Sequence, residues 1–267
     1  MIRAYFGLQK NPFSVDDISL LPQQEEVYDT LRVHNQQGGL CLILGVPGTG
    51  KSITKEALRR EADDKRMLVV TISRTLHTYT NTIRILCEAF KIEHNGSHFK
   101  CERRLIQEAY SLNRQGRSVV TIIDDAHLLE MPTLRKLRLL FEDFPKNHNV
   151  ILMGQPPLMD NIGLSVNEDI RSRVTYSHIM RRMNPDDSKS FILEQLDRAG
   201  LGHNVFTQAA TDLIVRSSDG VMRQIRNLCI SSLHESVRAQ KRIVDIEEVN
   251  RVLLQPHWRR ETINEKL

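Results

Sequence analysis

The chain has 267 residues, of which 40% are hydrophobic and 26% are charged, and its formal net charge at pH 7 is +4. A chain of this length and composition can bury a substantial core, which is typical of a globular protein rather than a disordered or fibrous one. No run of about 18 apolar residues is present, and no long apolar stretch follows Met1, so neither a membrane span nor a signal peptide is expected. We therefore expect a cytoplasmic protein without membrane contacts.

Strands and helices alternate over the first 183 residues. Predicted helices cover residues 23–36, 51–63, 78–90, 99–113 and 131–141, and predicted strands cover residues 40–45, 67–73, 119–123, 149–154 and 174–180. The strands are apolar along their length, which indicates a parallel sheet with helices on both faces. After Asn184 only helices are predicted, over residues 184–200, 208–217, 222–240 and 246–254. The sequence thus predicts an α/β domain over 1–183 with a five-stranded parallel sheet, an all-helical domain over 184–254, and a tail over 255–267.

The most specific motif lies between the first predicted strand and the next helix. It reads Gly45-Val46-Pro47-Gly48-Thr49-Gly50-Lys51-Ser52, which has the pattern G-x-x-x-x-G-K-[ST]. The glycines allow backbone N–H groups to converge on phosphate oxygens, Lys51 supplies a charge for the β- and γ-phosphates, and Ser52 offers a hydroxyl to Mg²⁺. The following helix adds the positive end of its dipole. The motif predicts a site for ATP and Mg²⁺ that extends from Gly45 to Ile53.

A phosphate loop also requires a carboxylate at the tip of a neighbouring strand, where it holds Mg²⁺. The apolar residues 119–123 end in Asp124-Asp125, which supplies this arrangement. We assign Asp124 to Mg²⁺ and Asp125 to positioning or deprotonating the attacking water. The alternative explanation is a strand that ends in an ordinary polar turn.

The chain has four cysteines and no C-x-x-C pair, so we expect them to be buried apolar side chains. His94, His98 and Cys101 could share one helical face. Their spacing matches no zinc signature and lacks a fourth ligand, so we expect structural roles for them.

Two further segments suggest a known family. The chain opens with Tyr5-Phe6-Gly7-Leu8-Gln9-Lys10-Asn11-Pro12-Phe13, and Gly154-Gln155-Pro156 follows the fourth predicted strand. Together with the phosphate loop, these segments resemble the AAA+ ATPases of the ExeA/GspA-like group, which are close to the transposition ATPases TnsC, TniB, MuB and IstB. The resemblance extends from Tyr5 to about Leu254. It implies that Pro12 and Phe13 either approach the adenine or pack against the sheet.

The resemblance also implies roles for a glutamine and three arginines. Gln155 takes the sensor-1 position near the γ-phosphate. Arg173, with Arg171 as the second choice, takes the position of an arginine finger that reaches the nucleotide of a neighbouring subunit. Arg223, at a helix start in the all-helical domain, takes the sensor-2 position and contacts phosphate in its own subunit. Each arginine taken alone could equally be a solvated surface charge.

One residue departs from the family pattern. Where the family usually has Asp-Glu, this chain has Asp124-Asp125, and aspartate is one methylene shorter than glutamate. Since a positional error of about 1 Å can cost roughly a hundredfold in rate, we expect slow hydrolysis, with ATP acting as an assembly switch. The following Ala126-His127 resembles the end of the DEAH motif of helicases, but the chain is too short for their two motor domains.

The arginine finger implies that ATP drives assembly of copies of this chain into a ring or a filament. The transposition relatives wrap duplex DNA and regulate a transposase, and we expect the same partners here. The positive net charge is compatible with this role, and the candidate phosphate contacts are Arg74, Lys100, Arg103, Arg104, Arg259 and Arg260. The alternative role is a secretion ATPase of the GspA type. Those proteins typically continue into a membrane span and a peptidoglycan-binding domain, for which no residues follow here.

Overall fold

The computed structural model describes residues 1–14, 19–62, 66–73 and 78–258. The contacts between its residues divide the chain into two units. Ile18–Met180 forms one unit, which we call the sheet unit, and Met1–Asp17 joins Arg181–Leu267 in the other, which we call the helical unit. The first helix, α1 (Ile2–Phe6), belongs to the helical unit.

A parallel five-stranded sheet organises the sheet unit, with the strand order β2-β3-β4-β1-β5. The strands are β1 (Gly39–Leu44), β2 (Met67–Ile72), β3 (Ser118–Ile123), β4 (Asn149–Gly154) and β5 (Val174–Ile179). The helices of this unit are α2 (Pro22–Gln37), α3 (Lys51–Glu61), α4 (Tyr79–Ala89), α5 (His98–Arg114), α6 (Met131–Glu142), α7 (Pro157–Gly163) and α8 (Glu168–Arg171).

Each face of the sheet is covered by its own layer of helices. Leu42 and Leu152 pack with residues of α4 to α8 on one face, and Ile43 and Ile151 pack with residues of α2 and α3 on the other. β4 is buried along its whole length. The prediction of continuously buried strands is wrong for β5, whose exposure alternates because it is an edge strand that pairs only with β1. Its residues Thr175 and Ser177 are exposed.

The helical unit contains α9 (Pro185–Ala199), α10 (Gln208–Ser218), α11 (Met222–Arg238) and α12 (Ile246–Leu253). The start of α9 agrees with the sequence, because the Asn184 side chain accepts a hydrogen bond from the Asp187 N–H at 2.7 Å and Pro185 occupies the first turn. Strand-like pairing in this unit is limited, within the described residues, to one isolated bridge between Phe206 and Val244.

The N-terminal segment groups with the helical unit, whereas the sequence analysis placed it in the α/β domain. Phe13 is 1% exposed, and its carbonyl accepts two hydrogen bonds from the Arg226 guanidinium, at 3.1 Å from Nε and 2.7 Å from Nη2. Burial lowers the pKa of Arg226. These two residues are 213 positions apart, so no local pattern in the sequence could reveal the contact.

Candidate functional site

The predicted site residues of the sheet unit meet at the carboxyl edge of the sheet. Leu44 pairs with Gly154, and Ile123 pairs with Leu152 in the same β4 strand. The phosphate loop after β1, Asp124 after β3 and Gln155 after β4 therefore leave three adjacent strands at nearly the same level. This edge is where ligands bind in open parallel sheets.

The phosphate loop connects β1 to the first turn of α3. Gly48 and Gly50 have φ angles of 90° and 105°, values that L side chains rarely adopt, which explains why glycine occupies both positions. Gly45 has a different reason, since a Cβ there would lie 2.7 Å from Thr49 Oγ1 and 3.1 Å from Met180 Cβ. The loop is a compact cradle that leaves the N-terminus of α3 directed outward.

Lys51 folds back onto this loop. Its ammonium group donates to the Gly45 carbonyl at 2.6 Å and to the Val46 carbonyl at 3.1 Å. These neutral acceptors stabilise the ammonium group less than the anionic oxygens of a phosphate would. Lys51 is therefore stored next to the position that the motif assigns to phosphate. Ser52, the next residue, is exposed at the start of α3.

Asp124 is fixed at the tip of β3 by an ion pair with Lys55 of α3. Both side chains are largely buried, with 16% and 15% exposure, respectively. The sequence analysis missed Lys55, although its position four residues after Lys51 places it on the same face of the helix. The pair brings the predicted Mg²⁺ carboxylate against the first turns of the phosphate-loop helix.

Asp125 is exposed and has a φ angle of 51°, in the left-handed region. Aspartate and asparagine tolerate this conformation better than most side chains. Its N–H donates to Asp124 Oδ1 at 3.0 Å, which closes the turn. The backbone therefore gives a reason for aspartate at this position that is independent of its reach as a base.

Gln155 is half-buried and contacts His127, which the sequence analysis assigned no role. Gln155 Nε2 lies 2.9 Å from His127 Nε2. His127 belongs to a short 3-10 turn directly after Asp125, and a Cβ on Gly154 would lie only 3.1 Å from the His127 nitrogen. The turn that carries Asp125 is thus in close contact with the end of β4.

Arg173 and Arg171 lie at the opposite, amino-terminal end of β5, just before the strand begins. Arg173 is exposed and pairs with Glu142 of α6, with 3.0 Å between Nη2 and Oε1. Arg171 pairs with Glu168 and donates to the Gly163 carbonyl at 3.3 Å. The structure thus separates both arginines from the phosphate loop of their own sheet unit.

Three predicted site residues belong to the helical unit. Arg223 is exposed in the first turn of α11. Pro12 and Phe13 are buried. For all three, a contact with nucleotide stays a prediction.

The donor set of the sheet unit fits a magnesium nucleotide. The loop offers backbone N–H groups at a helix N-terminus together with the Lys51 ammonium, and Ser52 and Asp124 offer the hard oxygen ligands that Mg²⁺ prefers. Side chains larger than hydrogen at Gly45 would fill the cradle. The residues present therefore match the chemistry of ATP and Mg²⁺.

Several other predicted features can be located. Lys100, Arg103 and Arg104 are exposed on α5, whereas Arg74, Arg259 and Arg260 lie outside the described residues. All four cysteines are buried free thiols. Within the described ranges, no cluster of three or more histidine, cysteine or carboxylate side chains could hold a metal, and no helix is long and apolar enough to cross a bilayer.

A second cavity, of about 400 Å³, lies at the amino-terminal edge of the sheet. Apolar residues such as Leu137 and Phe144 line it together with Arg138, Glu142 and Arg173. It is therefore separate from the phosphate loop and adjacent to the predicted arginine finger.

The family model described as an AAA domain matches residues 33–162, which include the phosphate loop, Asp124-Asp125 and Gln155. The chain is 25% identical over 243 residues to the general secretion pathway protein A of Aeromonas hydrophila, and the alignment covers 87% of this chain and 44% of that protein. The chain thus spans less than half the length of this curated relative. This similarity agrees with the predicted resemblance to the ExeA/GspA-like group.

The fold is similar to those of several solved AAA+ structures. Cdc6p from Pyrobaculum aerophilum has a TM-score of 0.70 and 16% identity, with 89% of this chain and 68% of that chain covered. The Drosophila ORC structure bound to DNA has a TM-score of 0.69 and 17% identity, with 94% and 65% covered. The RuvB branch migration motor of Thermotoga maritima has a TM-score of 0.57 and 16% identity, with 91% and 71% covered. The predicted AAA+ α/β fold is confirmed, and at these identities the likeness extends to the fold alone.

Proposed function

We propose that the chain is a Mg²⁺-dependent ATPase whose nucleotide state controls its assembly with other copies of itself. The observation that carries this proposal is the arrangement at the carboxyl edge of the sheet. There the phosphate loop, Asp124 with Asp125, and Gln155 leave three adjacent strands at one level. The match of residues 33–162 to an AAA domain supports it.

The roles of the residues follow from their positions. Lys51 leaves the carbonyls of Gly45 and Val46 and donates to the phosphates instead. Asp124 and Ser52 hold Mg²⁺, which neutralises charge on the phosphate oxygens. Asp125 positions the attacking water and accepts its proton.

Further contacts come from residues outside this edge. Gln155 contacts the γ-phosphate, Arg223 contacts phosphate of its own subunit, and Arg173 completes the site of a neighbouring subunit. The exposure of Arg173 and Arg223 supports roles that require approach by another molecule.

The turnover is expected to be slow. Asp125 is a short base on a turn with left-handed backbone, and that turn is fixed by its own hydrogen bond to Asp124. An enzyme of this kind holds ATP longer than it needs to bind it, which suits a switch for assembly. A turnover as fast as that of strong AAA+ motors, or a rate unchanged in Asp125→Asn, would contradict this expectation.

Hydrolysis and binding can be tested together on the full chain. Phosphate release from ATP is measured with and without Mg²⁺, and affinity is measured with a fluorescent ATP analogue. We expect Lys51→Ala to lose both signals, while Lys100→Ala, an exposed lysine on α5, retains both. Equal hydrolysis by wild type and Lys51→Ala would refute the assignment of the site.

The arginine finger can be tested by mixing two inactive variants. Lys51→Ala lacks a working phosphate loop but retains Arg173, and Arg173→Ala has the reverse defect. If Arg173 acts on a neighbour, the mixture regains hydrolysis at the interfaces where an intact loop meets an intact arginine. A mixture as inactive as its components, under conditions where wild type assembles, would exclude this role.

Two biological roles remain candidates. The first is ATP-dependent assembly on duplex DNA that regulates a transposase, which the net charge of +4 and the exposed cations Lys100, Arg103 and Arg104 of α5 support. Solved structures of similar fold include ORC bound to DNA. The second is a secretion-pathway ATPase, which the 25% identity to the general secretion pathway protein A supports.

Negative-stain microscopy with ATP, with and without duplex DNA, separates the two roles. The transposition role requires DNA-dependent rings or filaments whose formation weakens steeply with salt, because phosphate contacts release counterions. Assembly that is indifferent to both DNA and salt would favour the secretion role. Charge reversal at Arg103 then tests α5 as the contact surface.

A further inference from the structure

The contact between His127 and Gln155 contains more information than its distance. An amide nitrogen only donates, so the 2.9 Å contact between Gln155 Nε2 and His127 Nε2 requires an unprotonated Nε2 on the ring. A neutral His127 then carries its proton on Nδ1. That atom is buried and has no hydrogen-bond partner within the part of the chain that the structure describes.

A second arrangement has the same number of hydrogen bonds. If the Gln155 amide rotates by half a turn, its oxygen faces His127 and accepts from a protonated Nε2, and Nδ1 becomes an unprotonated nitrogen. An unpaired buried N–H costs about 1–3 kcal/mol, and the second arrangement removes this cost while it leaves an acceptor unpaired. Neither arrangement satisfies every group, so the pair has two states of similar free energy.

The two states present opposite ends of Gln155 away from the ring. In the first state the amide oxygen is available, and in the second the NH₂ group is available. A phosphate oxygen accepts hydrogen bonds and donates none, so only the second state is complementary to a γ-phosphate. A ligand that interacts with one state alone shifts the equilibrium toward it.

We propose that His127 is a positioning residue that selects the orientation of the Gln155 amide and couples it to the γ-phosphate. This inference rests on the proposed function of the phosphate loop. Without ATP, the amide NH₂ donates to His127 Nε2. With ATP bound, the NH₂ group turns to the γ-phosphate and His127 Nε2 donates to the amide oxygen. One proton leaves Nδ1 and one joins Nε2 by exchange with water, so the ring stays neutral.

The position of His127 gives this change a consequence. His127 follows Asp125 by two residues in the same short turn, and Gly154 allows that turn to approach β4 closely. The presence of the γ-phosphate is thereby transmitted to the turn that carries the proposed base. After hydrolysis, the amide returns to the ring and the original tautomer is restored.

The tautomer of His127 can be observed directly by NMR. The full chain is labelled with ¹⁵N-histidine, and long-range ¹H–¹⁵N spectra distinguish Nδ1–H from Nε2–H rings. The signals of His127 are those absent from His127→Leu. We expect Nδ1–H without nucleotide and with Mg-ADP, and Nε2–H with Mg²⁺ and a non-hydrolysable ATP analogue. The same tautomer in all three states would overturn the proposal.

A Gln155→Ala chain provides the matched control, because it should lose the change of tautomer while it retains binding of the analogue. A change that persists in Gln155→Ala would show that His127 does not act through Gln155. Binding of the analogue is measured in parallel by fluorescence. Failure of the analogue to bind wild type refutes the nucleotide site, whereas binding without a tautomer change refutes only the role of His127.

Kinetics supply an independent readout. Since misplaced catalytic groups cost on the order of a hundredfold, His127→Leu should lower kcat about tenfold to a hundredfold with little change in ATP affinity. His127→Gln, which restores a hydrogen bond, should recover part of the loss. In a Gln155→Ala background, His127→Leu should have no further effect on kcat. Independent, multiplying effects of the two substitutions would contradict the proposal.

Discussion

The ion pair between Lys55 and Asp124 leads to a prediction that joins stability to Mg²⁺ binding. In the structure, Lys55 occupies the carboxylate that we assign to Mg²⁺. Replacement of Lys55 by methionine keeps the length and packing of the side chain but removes its charge. Asp124 is then left largely buried without its cation, and Mg²⁺ no longer competes with an ammonium group for it.

The magnitude follows from the exposure of the two side chains. Exposed ion pairs contribute about 0–1 kcal/mol, whereas removal of one partner from a fully buried pair costs about 3–5 kcal/mol. With 15% and 16% exposure, the Lys55–Asp124 pair lies closer to the buried limit. We expect Lys55→Met to lower the free energy of unfolding by about 2 kcal/mol in the absence of Mg²⁺.

The assay is urea unfolding followed by far-UV circular dichroism, with and without Mg²⁺ and a non-hydrolysable ATP analogue. Ligand at a hundred times its Kd stabilises a protein by about 2.7 kcal/mol, and tighter Mg²⁺ binding to the variant should increase this gain. The deficit of Lys55→Met should therefore shrink when the complex is present. Arg59→Met on the same helix is the control, because its pair with Glu56 is exposed and lies away from Asp124.

Two results would refute this reasoning. A deficit of equal size with and without the magnesium nucleotide would mean that Lys55 and Mg²⁺ do not share Asp124. A deficit no larger than that of Arg59→Met would mean that burial does not strengthen this pair.

Three further predictions concern other parts of the chain. Asp125→Asn should lower kcat about a hundredfold or more and leave ATP affinity nearly unchanged, while Asp125→Glu should raise kcat and slightly lower the melting temperature, because glutamate fits the left-handed backbone less well; a rate unaffected by either substitution would exclude Asp125 as the base. Gly220→Ala should destabilise the helical unit, as followed by Trp258 fluorescence, by well over the ~1 kcal/mol expected for Gly200→Ala. Both glycines have positive φ, but a Cβ on Gly220 would lie 2.1 Å from the Met183 carbonyl oxygen and one on Gly200 would meet nothing within 4 Å, so equal losses would contradict the structure. Burial lowers the pKa of His148 to about 3, below the unfolded value of about 6.5. The unfolded chain therefore binds the extra proton, and the free energy of unfolding should fall as the pH falls from about 6.5 to 5, with a smaller slope in His148→Phe; an unchanged slope would exclude this contribution.

The sequence predicted the features that depend on local patterns. The phosphate loop, the strands around it and the capped start of α9 each result from residues close together in the chain. The meeting of Asp124 and Gln155 at one edge also follows, because the carboxyl ends of parallel strands lie at the same edge. The edge position of β5 required the strand order, which no local pattern specifies.

The features that sequence reasoning missed are contacts between distant residues or local backbone conformations. Lys55 and Asp124 are 69 residues apart, and His127 and Gln155 are 28 residues apart. Both pairs become evident only when β3, β4 and α3 are placed together. The left-handed backbone of Asp125 was also missed, so its short side chain was explained by catalysis alone.

The contact of Arg173 with Glu142 decides whether the proposed arginine finger is available to a neighbour. Arg173 is 60% exposed and Glu142 is 35% exposed, and pairs of such exposure contribute about 1 kcal/mol or less. Release of Arg173 then costs a factor of about five in population. Glu142 keeps its second partner, Arg138, at 2.7 Å, so no carboxylate is left unpaired. A charge-assisted bond to phosphate contributes about 1.5–3 kcal/mol, which exceeds this cost. The intramolecular pair thus holds Arg173 in place in the isolated chain without preventing the proposed contact with a neighbouring nucleotide.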